Sequence, residues 1–397
     1  MRYVSLWFVA ITVLSSCSAS AGVGQVPSGP SGEVSVPSSA APFSGFKVEE
    51  VYGDLQHGWD IGFLPDGKVL VSERIGRFTL LSNGKPGAAA TRLKADTGDI
   101  LVRGEGGLLG MVIHPDFRVT RQFTTCQTHT ENGQAKDIRL VTWQLSDDEQ
   151  VATRVKELLT GLPVNPSGRH SGCRPTLAPD GALLVGTGDT ASDPRIPQDR
   201  KRLGGKVLRV YLSNGQPAAG NPFPGSPVYT YGHRNLQGVA IRPNTDQVFT
   251  AEHGPDKNDE VNLLKAGANY GWDPSRGGAN TTDYDEFVPM TDLQRFPDAV
   301  PAKWQSGDTT EAICAAAFLS GPQWGTLDGA LVITALKGAK LLVLTLDQPG
   351  NVTSVNIPPE FNDKYGRLRA ARTAPDGALY LTTTNGDKDK LLRVTPA

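Results

Sequence analysis

From about residue 46 one phrase recurs along the chain: an apolar stretch, a turn of the Pro-Asp-Gly kind, then a second apolar stretch. It occurs at Gly62–Leu81 (GFLPDGKVLVSERIGRFTLL), at Met111–Phe117 (MVIHPDF), and at Thr176–Asp189 (TLAPDGALLVGTGD) followed by Lys206–Leu212. It returns at Val239–Glu252 (VAIRPNTDQVFTAE), in looser form at Gly329–Leu346, and finally at Thr373–Asp387 followed by Leu391–Val394. Proline presets φ and glycine accepts positive φ, so these turns join strands, and the flanking Val, Ile, Leu and Thr suit a pleated sheet. Six units of about 58 residues each match four-stranded blades with their loops, and closing them into a ring removes most exposed edges. The pattern predicts an all-β fold, a six-bladed β-propeller over residues 46–397. Long amphipathic helices between strands are absent, which excludes a Rossmann fold, so the glycines of Gly104–Gly110 (GEGGLLG) carry no dinucleotide meaning.

Composition agrees. The 397 residues include 45 glycines and 29 prolines, yet 38% are hydrophobic, enough for a core with unusually many turns. A net charge of −2 argues against a general nucleic-acid binder.

The first residues read as an address. Arg2, the apolar run Leu6–Leu14 and the small residues before Cys17 form an export signal over residues 1–17. Nine residues at about 1.5 Å each cover less than half of a ~30 Å bilayer core, so the run does not span a membrane. Leu14-Ser15-Ser16-Cys17 resembles a lipobox, which implies lipidation of Cys17 and a protein exported and anchored to the cell membrane or envelope. Residues 18–45, rich in Ser, Gly, Pro and Ala, are expected to be a disordered tether. Cys126, Cys173 and Cys314 then remain in an oxidising compartment, where one pair can bridge and the sequence does not say which. Neither CxxC nor HExxH occurs, leaving zinc without support.

A propeller collects its functional residues at one mouth of the central channel, one cluster per blade. Six clusters fit: Gly104–Gly110, Arg169–Arg174 (RHSGCR), Gly232–Gly238 (GHRNLQG), Glu252–Asn262 (EHGPDKNDEVN), Ala335–Gly338 (ALKG) and Gly366–Arg369 (GRLR). They offer a candidate base in His170, an acid in Glu105, and cations in Arg174, Arg234, Lys337, Arg367 and Arg369. Converging cations would repel one another, so they call for a compact polyanion; the alternative is that each pairs with a local carboxylate. His114, His233 and His253 sit in comparable turns, the last two read as structural, and His57 and His129 carry no argument. The stretch from Asp256 starts like an EF-hand loop but has Val261 and Gly267 where that loop needs Gly and Glu, so an EF-hand is rejected. The carbonyls of Gly254 and Pro255, with Asp259 and Glu260 nearby, remain hard oxygen donors suited to Ca²⁺.

These motifs, with Tyr231–Pro243 (YGHRNLQGVAIRP) and Asn269–Trp272 (NYGW), occur in the same order as in the soluble pyrroloquinoline-quinone (PQQ)-dependent glucose and aldose sugar dehydrogenases and their sorbosone dehydrogenase relatives, which the chain resembles over about residues 50–396. The resemblance implies a six-bladed propeller with PQQ and Ca²⁺ at the channel mouth. Lys337, Arg367 and Arg369 would pair with the cofactor's carboxylates and quinone oxygens, Arg234 and Asn235 would lie against its ring, and Glu105 would face it. Gly254 and Pro255 would ligate one calcium through their carbonyls, Glu260 and the backbone of Tyr270 a second. His170 would take the proton of a sugar's anomeric hydroxyl as hydride passes to the quinone, with electrons leaving to an acceptor that the sequence does not name. Departures from the family concern the sugar side. Arg169 stands where the glucose enzyme has an acid, so the carboxylate that orients the base is missing unless another substitutes, and Arg169 would lower the basicity of His170. Cys173 and Pro175 replace Gly and Leu, and small residues in Glu311–Gly321 replace a covering Trp. The competing reading is a propeller lipoprotein that binds partners without catalysis; a calcium-dependent lactonase finds no support in the sequence.

Overall fold

The structure, a computed structural model, describes residues 42–397. The export signal, Cys17 and most of the expected tether lie outside the described residues. The tether's last residues are already engaged, because Phe43 packs on Phe46 and Trp324, and the Ser44 hydroxyl donates to the carbonyl of Ala397.

Six antiparallel sheets make six blades. Their innermost strands are Gly58–Phe63, Leu108–Ile113, Arg174–Leu177, Leu236–Ile241, Ile313–Phe318 and Leu368–Thr373, each contacting the next around a closed ring. Closure is made within the sixth blade, where Phe46–Leu55 pairs with Asp389–Pro396 and so ties the start of the described chain to its end. The second blade has a fifth, two-residue strand, Lys94–Ala95, added in parallel at its edge. One helical turn, Phe117–Thr120, and a 3₁₀ segment, Pro322–Leu327, are the helices among the described residues.

The cores lie between neighbouring blades rather than at the centre. Leu70, Phe78, Phe123 and Trp143 fill the space between the first two blades, and Val332, Val343, Leu379 and Leu392 that between the last two. A buried side chain of this kind stabilises by about 1.5–3 kcal/mol, so each interface needs both sheets. The bulky residues thus sit between blades and leave the axis to polar groups.

Those polar groups form a plug. Asp60 on the first inner strand meets Arg174 at 2.9 Å and takes two hydrogen bonds from Arg372, at 2.9 and 2.8 Å. Its oxygens also accept from the backbone of Ile61 and Met111. Burial pushes the Asp60 carboxyl up, but Arg372 and Arg174 outweigh it and hold it below the usual carboxylate value. Arg174 lies 4.2 Å from the centroid of the buried Trp59 ring, a cation–π contact. Arg174 is therefore part of the scaffold, not one of the free cations expected of it.

Cys126 and Cys173 form a disulfide between the second blade and the turn entering the third, which leaves Cys314 as the buried free thiol.

Candidate functional site

The inner strands begin at one face of the ring; Glu105, His170, Arg234, Asn235, Arg367 and Arg369 sit at or near those beginnings, Lys337 and the Gly254–Pro255 turn follow second strands that end at the same face, and the Pro-Asp-Gly turns lie at the other. His170 is buried in the turn before the third inner strand, in a left-handed conformation with φ of 47°. Such a conformation persists where surroundings hold it, most often at functional sites. Here Glu105 holds the turn. Its carboxylate accepts from the His170 backbone N–H at 3.0 Å, from Asn235 at 2.9 Å and from Gln237 at 3.0 Å. Burial raises the Glu105 carboxyl, but the adjacent His170 and the Asn235 hydrogen bond more than offset this and keep it below its ordinary value. Glu105, His170 and Asn235 are thus brought together as expected, with Glu105 bonded within the protein.

The imidazole has a carboxylate after all. Nδ1 of His170 lies 2.7 Å from Asp189 Oδ1, and the other oxygen of Asp189 accepts from Trp272 Nε1 at 2.8 Å and Tyr284 Oη at 2.5 Å. Burial raises the Asp189 carboxyl, but His170, Tyr284 and Arg234 together hold it low. An ionised Asp189 can only accept, so Nδ1 of His170 carries the hydrogen and the Nε2 lone pair is left for a substrate proton. Nε2 makes no hydrogen bond to any described residue. The Arg169 guanidinium pairs with Glu286 at 2.5 Å.

The cations divide. Arg234 donates to the carbonyls of His253 at 2.8 Å and Gly254 at 3.0 Å and pairs with Glu286 at 3.2 Å, yet its buried Nε has no partner. Arg369 donates to Gln237 Oε1 at 3.1 Å and approaches Cys314 Sγ at 3.3 Å, and its Nε is likewise buried and unpaired. The exposed side chains of Lys337 and Arg367 make no hydrogen bond or ion pair among the described residues. Burial and the Arg369 charge pull Arg367 below its ordinary value; Arg74, which the sequence reading did not single out, is lowered by burial, Arg369 and Arg367. Local pairing by carboxylates, the alternative weighed for these cations, therefore holds for Arg174 and in part for Arg234, and fails for Lys337, Arg367 and Arg369.

For calcium the donors are mixed. The Pro255 carbonyl has no donor among the described residues, and Gly254 O has only Arg234. Asp259 is not a spare ligand, since it accepts from Gly254 N, Thr310 Oγ1 and Glu311 N and so shapes that turn. Around the second expected position, burial and the neighbouring Glu252 push the Glu260 carboxyl up to about 8. Asn262 bridges the two carboxylates at 3.4 and 3.3 Å, and its own Oδ1 is buried without a partner. No three His, Cys, Asp or Glu side chains among the described residues form a metal cluster by themselves. His233, bonded to Glu252 and Thr230, is structural as expected.

The family model for glucose/sorbosone dehydrogenases matches residues 55–393. The chain belongs to that family. It is 28% identical over 363 residues to the aldose sugar dehydrogenase YliI of Escherichia coli (strain K12), covering 90% of this chain and 94% of that protein. The PQQ-bound aldose sugar dehydrogenase of Streptomyces coelicolor is 30% identical, with a TM-score of 0.72 over 89% of this chain and 99% of the other. The apo-form of the soluble E. coli aldose sugar dehydrogenase superposes with a TM-score of 0.75 at 27% identity, over 89% of this chain and 100% of the other. Against this glucose/sorbosone dehydrogenase background, the residues missed in the sequence are Asp189, Tyr284, Glu286, Trp59 and Arg74. Asp189 stood in the third repeat, at the end of VGTGD, where an acidic residue in a turn gives no hint of the histidine 19 residues earlier that it meets.

Proposed function

We propose that the protein is a quinoprotein dehydrogenase that uses PQQ and Ca²⁺ to oxidise an aldose or related alcohol. The observation that carries this is the set of cations at the mouth, Lys337, Arg367 and Arg369, left without carboxylate partners beside a His170–Asp189 dyad. Uncompensated guanidinium and ammonium groups fit a polycarboxylate, and the orphan Nε atoms of Arg234 and Arg369 fit a planar group rich in acceptors. The oxygen donors of Gly254 and Pro255, and those of Glu260, Asn262 and the Tyr270 backbone, fit a hard cation. When bound, the quinone supplies a two-electron acceptor, and calcium polarises its oxygens.

The chain's own part is proton transfer and orientation. His170 Nε2 takes the proton from the anomeric hydroxyl, and Asp189 stabilises the imidazolium that forms and fixes its tautomer. Glu105 fixes the turn that places the ring. A sugar so oxidised becomes a lactone, and its electrons pass on to a carrier or dye.

Export and anchoring through Cys17 belong to the same reading. The lipobox pattern supports them, and the buried Cys126–Cys173 bridge suits an oxidising compartment. The scaffold reading drew on Arg169 and the missing carboxylate, and Asp189 takes that support away.

The test is aldose-dependent dye reduction by the PQQ- and Ca²⁺-loaded protein. Asp189→Asn should lower kcat by about 10²- to 10⁴-fold, and His170→Ala should abolish turnover while PQQ affinity stays within about threefold, a change of well under 1 kcal/mol. Equal dye reduction by the parent and the His170 variant would remove the base assignment.

A further inference from the structure

Glu286 lies in the long connection between the third and fourth strands of the fourth blade, residues 264–303, which crosses to the turn bearing the base. Two residues before it, Tyr284 bonds Asp189 and brings its ring within 6.2 Å of the His170 imidazole, so the position of the loop is tied to the dyad. Both guanidinium groups that hold Glu286 use the same atom: Arg169 Nη2 at 2.5 Å and Arg234 Nη2 at 3.2 Å both reach Oε1. No described residue donates to Oε2, and the side chain is 34% exposed. Burial raises the carboxyl, but Arg234 and Arg169 more than offset this and hold it below the usual value, so it is ionised at neutral pH. Glu286 also lines a cavity of about 460 Å³ with Pro255, Asn258, Phe287 and Met290, and the Phe287 side chain is exposed.

These features select a ligand class. Arg169 and Arg234 already neutralise the Glu286 charge through Oε1, so what the free Oε2 calls for is a hydrogen-bond donor rather than a cation. A neutral polyol fits, because its hydroxyls donate to the free carboxylate oxygen and accept from the guanidinium, and its apolar face can rest on an aromatic ring. We propose that Glu286, held in place by Arg169, is a specificity-determining residue, its Oε2 accepting hydrogen bonds from neighbouring hydroxyls of the sugar whose remote end extends into this cavity. The inference rests on the dehydrogenase reading and names the residue that discriminates among its substrates.

The experiment compares the loaded parent with Glu286→Gln and Arg169→Ala, using D-glucose and its 2-, 3- and 6-deoxy forms in the dye assay. For Glu286→Gln, KM for glucose should rise about 10- to 100-fold, the size of a charged hydrogen bond, with kcat within about threefold. The deoxy sugar that the parent binds worst should lose no further affinity in the variant, and Arg169→Ala should reproduce the pattern more weakly. A loop-packing role would instead lower kcat for every sugar alike, and that result, or an unchanged KM, overturns the proposal. Saturation-transfer NMR of glucose on cofactor-free protein separates the two readings. An inactive parent whose saturation transfer is lost in Glu286→Gln keeps the sugar site and removes the dehydrogenase; equal transfer in parent and variant overturns the sugar site.

Discussion

Two levels of the same channel treat positive charge in opposite ways. At the plug, Arg174 and Arg372 converge on Asp60, whose oxygens are saturated by side-chain and backbone donors. At the mouth, Arg369 stands on the same inner strand as Arg372, Arg367 lies just before that strand and Lys337 follows the second strand of the fifth blade, and none of the three pairs with a carboxylate among the described residues. Burial makes the Asp60 partnership necessary for the plug, whereas the exposed Lys337 and Arg367 stay solvated and the buried Arg369 keeps an unpaired Nε, which supports the proposed anionic ligand at the mouth. The difference separates scaffold from site more clearly than residue type, since arginines on neighbouring turns serve both.

The largest expected effect breaks the plug. Asp60→Ala should cost about 3–5 kcal/mol, because Arg174 and Arg372 are left buried and unpaired, and a thermal melt reads it as a large fall in Tm. The same carboxylate sets a pH dependence. Its folded pKa lies below the ordinary 3.8, so its contribution is present above that value and is lost as pH falls through the folded one. Acid unfolding followed by tryptophan fluorescence should show this loss in the parent, and the Asp60 variant should lack that increment.

At the mouth the same kind of change should have the reverse signature. Lys337→Ala and Arg367→Ala should each weaken PQQ binding about tenfold, the scale of one charge-assisted contact, while Tm is kept or rises as cationic repulsion is relieved. A fall in Tm comparable with that of Asp60→Ala would erase the distinction between the two levels. Smallest is the effect of salt. Because the mouth is exposed, raising ionic strength through the range where the Debye length falls from about 10 to 3 Å should weaken PQQ binding by a modest factor and leave the plug's contribution to Tm nearly unchanged.

The ring was legible because its cause is local and repeated: each Pro-Asp-Gly turn with its flanking Val and Leu declares a pair of strands, and six such units define the closure. The expected one cluster per blade does not hold, since Gly232–Gly238 and Glu252–Asn262 both belong to the fourth blade and the first blade carries none of the six. The partners of the cations were not legible. Asp60 and Arg372 are 312 residues apart, and only the closed ring brings them together, so the sequence could not show that Arg174 would be neutralised while Arg369 would not. Asp189 was hidden by the same kind of limit, since a turn acid is ordinary until Trp272 and Tyr284 arrive from the next blade to bury it. The partner of Arg169 was hidden likewise, since Glu286 lies 117 residues away in the chain.

The central claim is that the unpaired cations at the mouth hold a polyanionic quinone. Its most direct measurement is a titration of the protein with PQQ, with and without Ca²⁺, followed by tryptophan fluorescence and quinone absorbance, in the parent and in the Lys337→Ala/Arg367→Ala double variant. The account expects saturable, calcium-dependent binding in the parent that weakens about a hundredfold in the double variant, close to 2.7 kcal/mol. No binding at ~100 µM, a ceiling already weaker than −6 kcal/mol, or equal binding by both proteins, would contradict it.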